Sequence, residues 1–209
     1  MKKENVFQFI IVIVGIFSII VNFRLFGDWR GIFYYTIISN IYVTIFYMAV
    51  LILKCKNKLL RDTKYYVLKG MMLVSILCTM LIYFGIINSN ESVYVGHQFE
   101  CNMVHLVMPI LTLIECILYK KGNMLRYRYT LIWGSAAVVY LSFLVLYRKL
   151  LNGTFLNGKK YPYSIIDFEK YGVAKCLINC LLIFAVFLII GIIVVFFDNK
   201  MECERDGDA

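Results

Sequence analysis

The sequence predicts an all-α fold: a polytopic membrane protein built as a bundle of six transmembrane helices, with both termini cytoplasmic. Three observations predict it. Hydrophobic residues make up 61% of the 209 positions while proline occurs only twice, well above the roughly half-apolar composition of soluble domains. The apolar residues fall in six blocks close to the ~20 residues that a helix needs to cross a bilayer. Lys and Arg gather in the polar breaks on one side.

The six blocks follow one another with short breaks. The first runs from Val6 to Phe26, the second from Ile32 to Leu53 and the third from Tyr66 to Ile87. The fourth runs from Asn102 to Tyr119, the fifth from Thr130 to Tyr147 and the sixth from Ala174 to Phe197. Lys2 and Lys3 precede the first block as in a signal peptide, but the block is long and lacks a small-x-small cleavage site, so it reads as a retained helix. No soluble domain fits in what remains: residues 1–198 form one membrane domain, and 199–209 read as a disordered acidic cytoplasmic tail.

The net charge of +9 does not point to nucleic acid, because the basic residues are distributed by loop. KCKNKLLRDTK (54–64) and KKGNMLRYR (120–128) lie on the same side as Lys2 and Lys3, while the break between the third and fourth blocks carries no Lys or Arg. That asymmetry places both termini inside and directs the positive charge at anionic headgroups. Low Ala and Pro with high Lys, Ile, Tyr and Asn suggest an AT-rich genome, hence a bacterial cytoplasmic membrane. The seven cysteines show no CxxC spacing, and read as free, mostly buried residues rather than a disulfide framework.

Polar residues inside apolar helices carry the functional information, since a buried unpaired polar group costs free energy in lipid. In the second block Thr36, Asn40 and Thr44 share a face, with Ser39 beside them. In the fourth, His105, Pro109 and Thr112 share another. Both blocks enter from the outer side, and Thr36 and His105 each lie three or four residues in, ~5–6 Å deep. A hydroxyl and an imidazole therefore meet at one level, about a turn below the outer surface. The longest break, 148–173, lies on that side and contains YPYSIIDF (161–168), so Tyr161, Tyr163 and Asp167 can reach over the pair as a lid; any of the three is a candidate to orient His105. Taken singly, Thr36 reads as helix packing. Glu115 lies ~15 Å deeper than His105 and is expected to pair with Lys69, while Lys175 snorkels outward. His97, Glu100, Cys101 and His105 match no standard ligand spacing, so neither a metal nor another cofactor is expected.

Three motifs together resemble a known family: the aromatic-Thr pair Tyr35-Thr36 followed by Ser39-Asn40, the fourth-block run HLVMPILTLIECILY (105–119), and YPYSIIDF before a glycine and the last helix. In order and spacing they are similar to the androgen-induced protein family (the FAR-17a-like proteins), and most of all to its bacterial six-helix branch. The resemblance implies an intramembrane hydrolase of lipid esters, in eukaryotic members fatty acid esters of hydroxy fatty acids. It also implies a threonine nucleophile matching Thr36 and a histidine matching His105. The expected chemistry has His105 take the Thr36 proton, with Ser39, Asn40 or a loop tyrosine supplying oxyanion donors. Expected partners are membrane lipids and a lipid ester, with no nucleic acid. The competing reading is a non-catalytic lipid-binding or small-solute transport protein, although neither the internal repeat nor the paired helix interruptions of a carrier is evident.

Overall fold

The computed structural model describes residues 2–59, 62–87, 97–119 and 125–206. Arg61, Lys120, Lys121 and residues 207–209, invoked above for orientation and tail, lie outside them. Six helices are long and apolar enough to cross a membrane, and no strand occurs among the described residues. They are α1 (Lys3–Phe26), α2 (Tyr35–Cys55), α3 (Thr63–Ile82), α4 (Gln98–Leu118), α5 (Tyr129–Leu151) and α6 (Phe168–Asp206). This is compatible with an integral multi-pass protein. Six crossings return the chain to its starting side, here called the terminal face; the loops after α1 and α5 lie on the opposite, loop face.

Helix ends follow local chemistry. Gly27 closes α1 in the left-handed region at φ 60°, a conformation glycine reaches without a Cβ penalty. Asp62 caps α3 by accepting the Tyr65 N–H at 3.0 Å. Gly172, at φ 78°, breaks α6 one turn after its start, so the first turn belongs to the loop face and the spanning segment begins beyond it. At its other end α6 continues through Asp206. That stretch covers 199–206 of the tail expected to be disordered, and NKMECERD contains no proline or glycine to stop a helix.

The bundle is organised around α3. Of its apolar window 56% is buried, against 22% for α6, so α3 is central and α6 is the edge most open to lipid. It packs against α2, α4, α5 and α6, while α1 packs on α2 and α4. Two glycines permit close approaches between the helices. A Cβ on Gly15 would lie 2.2 Å from Thr44 Oγ1, and one on Gly70 2.3 Å from the Trp133 ring. Small residues at such crossings let helix backbones approach where lipid offers no hydrophobic drive. Trp133 also donates its indole N–H to the Val67 carbonyl at 2.9 Å, holding α5 to α3. Large apolar side chains such as Phe9, Leu131, Val139 and Leu181 are more than half exposed, as lipid-facing residues should be.

On the loop face the connections are packed rather than loose. Asp28 and Arg30 form an ion pair, and Arg30 Nη1 reaches Thr154 Oγ1 at 2.9 Å, tying the first loop to the last. Arg30 holds the Asp28 carboxyl below its ordinary value, chiefly through their side-chain hydrogen bond. Phe33 packs at a tilt against Tyr147, centroids 4.8 Å apart, and meets Phe155 edge-on.

A buried threonine–histidine pair beneath the loop face

Thr36 occupies the first turn of α2, just after the Tyr34 cap residue, and His105 lies in the corresponding stretch of α4. Their side chains meet: Thr36 Oγ1 and His105 Nε2 are 3.2 Å apart and both residues are buried. The structure thus places together the two residues selected by depth in the sequence.

The local backbone explains how the imidazole is aimed. Residues Met103–Val107 form a π-turn immediately before Pro109. Proline cannot donate to the carbonyl four residues back, which here is His105, and its ring clashes with that carbonyl; a widened turn absorbs the misfit. A second π-turn, Tyr83–Ile87, extends α3 toward the same face. Tyr83 stacks on the His105 ring at a centroid separation of 3.7 Å and accepts the Cys101 thiol at 2.7 Å.

The imidazole tautomer follows from its partners. His105 Nδ1 lies 3.0 Å from the Cys101 carbonyl oxygen, which can only accept, so Nδ1 carries the proton. Nε2 therefore presents its lone pair and accepts the Thr36 hydroxyl. Threonine, base and a third group that orients the base are the elements of an activated nucleophile. The third group is a backbone carbonyl of the histidine's own helix, where the sequence had offered Asp167, Tyr161 or Tyr163.

The remaining sequence candidates take distinct places. Asn40 spends both amide hydrogens on carbonyls, Thr36 O at 2.7 Å and Val104 O at 3.1 Å, so it joins α2 to α4 at the site and has no hydrogen left for an oxyanion. Its Oδ1 is buried with no partner. Ser39 Oγ bonds the Thr36 carbonyl at 2.9 Å and Thr79 Oγ1 at 2.8 Å, linking α2 to α3. Thr44 and Thr112 return their hydroxyls to their own helices. Asp167 caps α6, accepting the N–H groups of Glu169 and Lys170, and Tyr161 packs against Phe168 in a loop-face apolar cluster, where burial pushes its phenol upward from the ordinary value. Tyr163 does approach the site: it packs edge-on to Tyr34 and shares a cavity wall with Thr36.

That cavity, of about 50 Å³, lies between α2, α3, α5, α6 and the last loop, with Tyr35, Thr36, Thr79, Tyr140, Tyr163 and Phe187 in its wall. Thr36 therefore stands between the imidazole on one side and a mostly apolar space on the other. Tyr140 gives its hydroxyl to the Phe33 carbonyl at 2.8 Å, and Thr79 gives its own to Ser75 at 3.1 Å.

Two site features were missed in the sequence, Tyr83 and the Cys101 carbonyl. Tyr83 lies one turn from the outer end of the third block, the depth of Thr36 and His105, but reads there as one more aromatic at an interface. No grouping of three or more metal-ligating side chains occurs among the described residues; His97 and Glu100 form a partly exposed pair at 3.4 Å, away from Nε2. Glu115 pairs with Lys69 at 2.8 Å as expected and also accepts from Gln8 and Tyr47 at 2.5 and 2.7 Å. Lys175 Nζ lies 4.8 Å over the Tyr171 ring. Comparison with protein-family models, with curated proteins and with solved structures finds no match.

Proposed function

We propose that this chain is an intramembrane hydrolase of lipid esters, with Thr36 as nucleophile and His105 as base. One observation carries the reading. The Thr36 hydroxyl is hydrogen-bonded to a histidine nitrogen whose tautomer is fixed by a carbonyl on the far side of the ring, and the same threonine opens onto an apolar cavity. A packing threonine in a membrane helix ordinarily returns its proton to its own backbone, as Thr44 and Thr112 do here; Thr36 gives its proton across to another helix.

The geometry supports a two-step acyl transfer. As Thr36 Oγ1 attacks the ester carbonyl from the cavity side, its proton passes to His105 Nε2 on the other. The carbonyl π pair moves to oxygen. Asn40 is fully engaged, so the oxyanion is left to the donors of the cavity wall, of which Tyr163 is one. On collapse the leaving alkoxide takes the proton from Nε2, and an alcohol departs, leaving an acyl-threonine. Water then gives a proton to Nε2, attacks the acyl carbon, and releases the fatty acid with Thr36 restored. Tyr83 stacks on the ring and holds it in plane throughout.

A cavity of about 50 Å³ admits a few waters, at ~10–15 Å³ each, but not an acyl chain. Substrate entry therefore requires α5 and α6 to move apart, which suits the lipid-facing position of α6. The resemblance to the FAR-17a-like family supports the same assignment and points to fatty acid esters of hydroxy fatty acids. A bacterial cytoplasmic membrane, with both termini inside, completes the reading.

The test is covalent labelling of purified protein by a fluorophosphonate, comparing wild type with Thr36→Ala and His105→Ala. Labelling that both substitutions abolish supports an activated threonine. Unlabelled wild type that is folded and monodisperse overturns the proposal, and favours a non-catalytic lipid-binding or carrier role in which the pair only joins α2 to α4.

A further inference from the structure

Ser39 and Thr79 form a hydroxyl pair behind the nucleophile. Ser39 Oγ lies 2.9 Å from the Thr36 carbonyl oxygen and 2.8 Å from Thr79 Oγ1. Thr79 Oγ1 in turn lies 3.1 Å from the Ser75 carbonyl oxygen. Three contacts thus share two hydrogens, because each hydroxyl donates once and a carbonyl only accepts. The 2.8 Å approach of the two hydroxyl oxygens calls for a hydrogen between them. The pair therefore has two settings: both hydroxyls donate toward Ser75, or both toward Thr36.

Neither carbonyl depends on these hydroxyls. The Ser75 carbonyl is the acceptor, four residues back in α3, for the backbone N–H of Thr79. The Thr36 carbonyl takes a hydrogen from the Asn40 amide at 2.7 Å. The Thr79 hydrogen can therefore turn elsewhere without leaving a buried carbonyl unsatisfied. Tyr140 is placed differently, since its hydroxyl fastens α5 to the Phe33 carbonyl in the segment before α2, at 2.8 Å.

Thr36 and Thr79 stand in the wall of the same cavity of about 50 Å³, one from α2 and the other from α3. That space holds only a few water-sized groups, so an ester carbonyl seated against Thr36 lies close to Thr79 as well. Ser39 sits one turn along α2, ~4.5 Å deeper than Thr36. Its bond to Thr79 puts that hydroxyl on the inner side of the nucleophile, while Tyr163 approaches from the last loop. Thr79 is buried, so a hydrogen bond to a charged oxygen there is strong.

We propose that Thr79 is a further catalytic residue, whose hydroxyl donates to the oxyanion formed when Thr36 attacks the ester carbonyl. The assignment rests on the hydrolase reading above. As charge builds on the carbonyl oxygen, the Thr79 hydrogen turns from Ser75 into the cavity, and the Ser39 hydrogen turns onto Thr79 Oγ1. An oxyanion is a stronger acceptor than the neutral ester carbonyl, so the bond favours the transition state over the bound ester. Ser39 touches no reacting atom; it is a positioning residue that ties Thr79 to the backbone of the nucleophile.

The test is the rate at which a fluorophosphonate labels the full chain in detergent. In that reaction Thr36 Oγ1 bonds to phosphorus, fluoride leaves, the hydroxyl proton passes to His105 Nε2, and the phosphoryl oxygen takes the oxyanion position. Thr79→Val removes the hydroxyl and should slow labelling about a hundredfold, the usual loss of one oxyanion donor. Thr79→Ser restores a hydroxyl and should stay within about threefold of wild type. Thr79→Ala is read in the same way as the valine variant if that variant does not fold. Labelling of Thr36 at an unchanged rate in the folded variant, or a serine variant as slow as the valine one, overturns this proposal and leaves the hydrolase reading standing. Folded wild type that does not label overturns both.

Discussion

Replacing Glu115 by Gln removes one charge from the most buried ionic cluster among the described residues, and its cost can be worked from the structure. Both carboxylate oxygens are engaged: Oε1 by Gln8 at 2.5 Å, Oε2 by Tyr47 at 2.7 Å and Lys69 at 2.8 Å. Glu115 is 0% exposed and the Lys69 side chain 12%, so the pair is shielded from bulk water. Removing one member of a buried pair typically costs ~3–5 kcal/mol, because the other charge is left uncompensated. The substituted amide retains one acceptor oxygen, which places Glu115→Gln near the lower end, about 3 kcal/mol or a hundredfold in the unfolding equilibrium. Glu115→Leu combined with Lys69→Leu should recover much of that loss, since no charge then stays buried, leaving the unsatisfied Gln8 and Tyr47 donors at ~1 kcal/mol each. The assay is a double-mutant cycle on unfolding in mixed micelles, with a coupling energy of ~2 kcal/mol expected for charges in contact. A single substitution costing under ~0.5 kcal/mol, or a double mutant no better than the sum of its parts, would refute the assignment of this cluster as a structural ion pair.

Other expectations follow from single residues. Asn40→Asp keeps the shape but turns two donors into acceptors facing the Thr36 and Val104 carbonyls; it should lower stability by ~2 kcal/mol or more, read as a fall in the thermal midpoint in detergent. Gly15→Val drives a methyl-bearing Cβ into Thr44 Oγ1, where even a bare Cβ lies at 2.2 Å, so a loss of ~1–3 kcal/mol is expected, smaller when combined with Thr44→Ala. The Asp28 carboxyl, held below its ordinary value by its hydrogen bond to Arg30, is ionised in the folded chain wherever it is ionised unfolded. Its contribution is therefore fully present above pH ~4 and fades as pH falls through its lowered folded value. The cost of Asp28→Asn should be the same at every pH from 5 to 9 and shrink only in acid; a cost that grows from pH 5 toward 9 would contradict the sign.

How much of this was legible in the sequence depends on the physics of each feature. All six helices follow from apolar block length, because a lipid solvent leaves few alternatives to a helix. Thr36 and His105 were found by counting residues inward from the same face, since helical rise is constant. The orienting group was not, because a backbone carbonyl carries no side-chain signature. Tyr83 was hidden because an aromatic near a membrane interface has an ordinary explanation. Asn40 was read as an oxyanion donor because its type and depth fit; only the positions of two carbonyls, set by how α2 and α4 pack, show that its hydrogens are committed. Asp167 was assigned to the site from its place in the last loop, whereas it serves the first turn of α6, as Asp beside a helix start commonly does. The tail was read from its acidic composition, which does not by itself stop a helix already under way.

The acyl-threonine itself is the species to look for. Incubating the protein with an alkyne-tagged activated fatty acyl ester, quenching in acid and locating the adduct by peptide mass spectrometry reports the nucleophile directly. An oxygen ester on Thr36, stable to neutral hydroxylamine and absent in His105→Ala, is the predicted result. An adduct on Cys101, whose sulfur lies 3.5 Å from His105 Nδ1, or no adduct in folded protein, would contradict it.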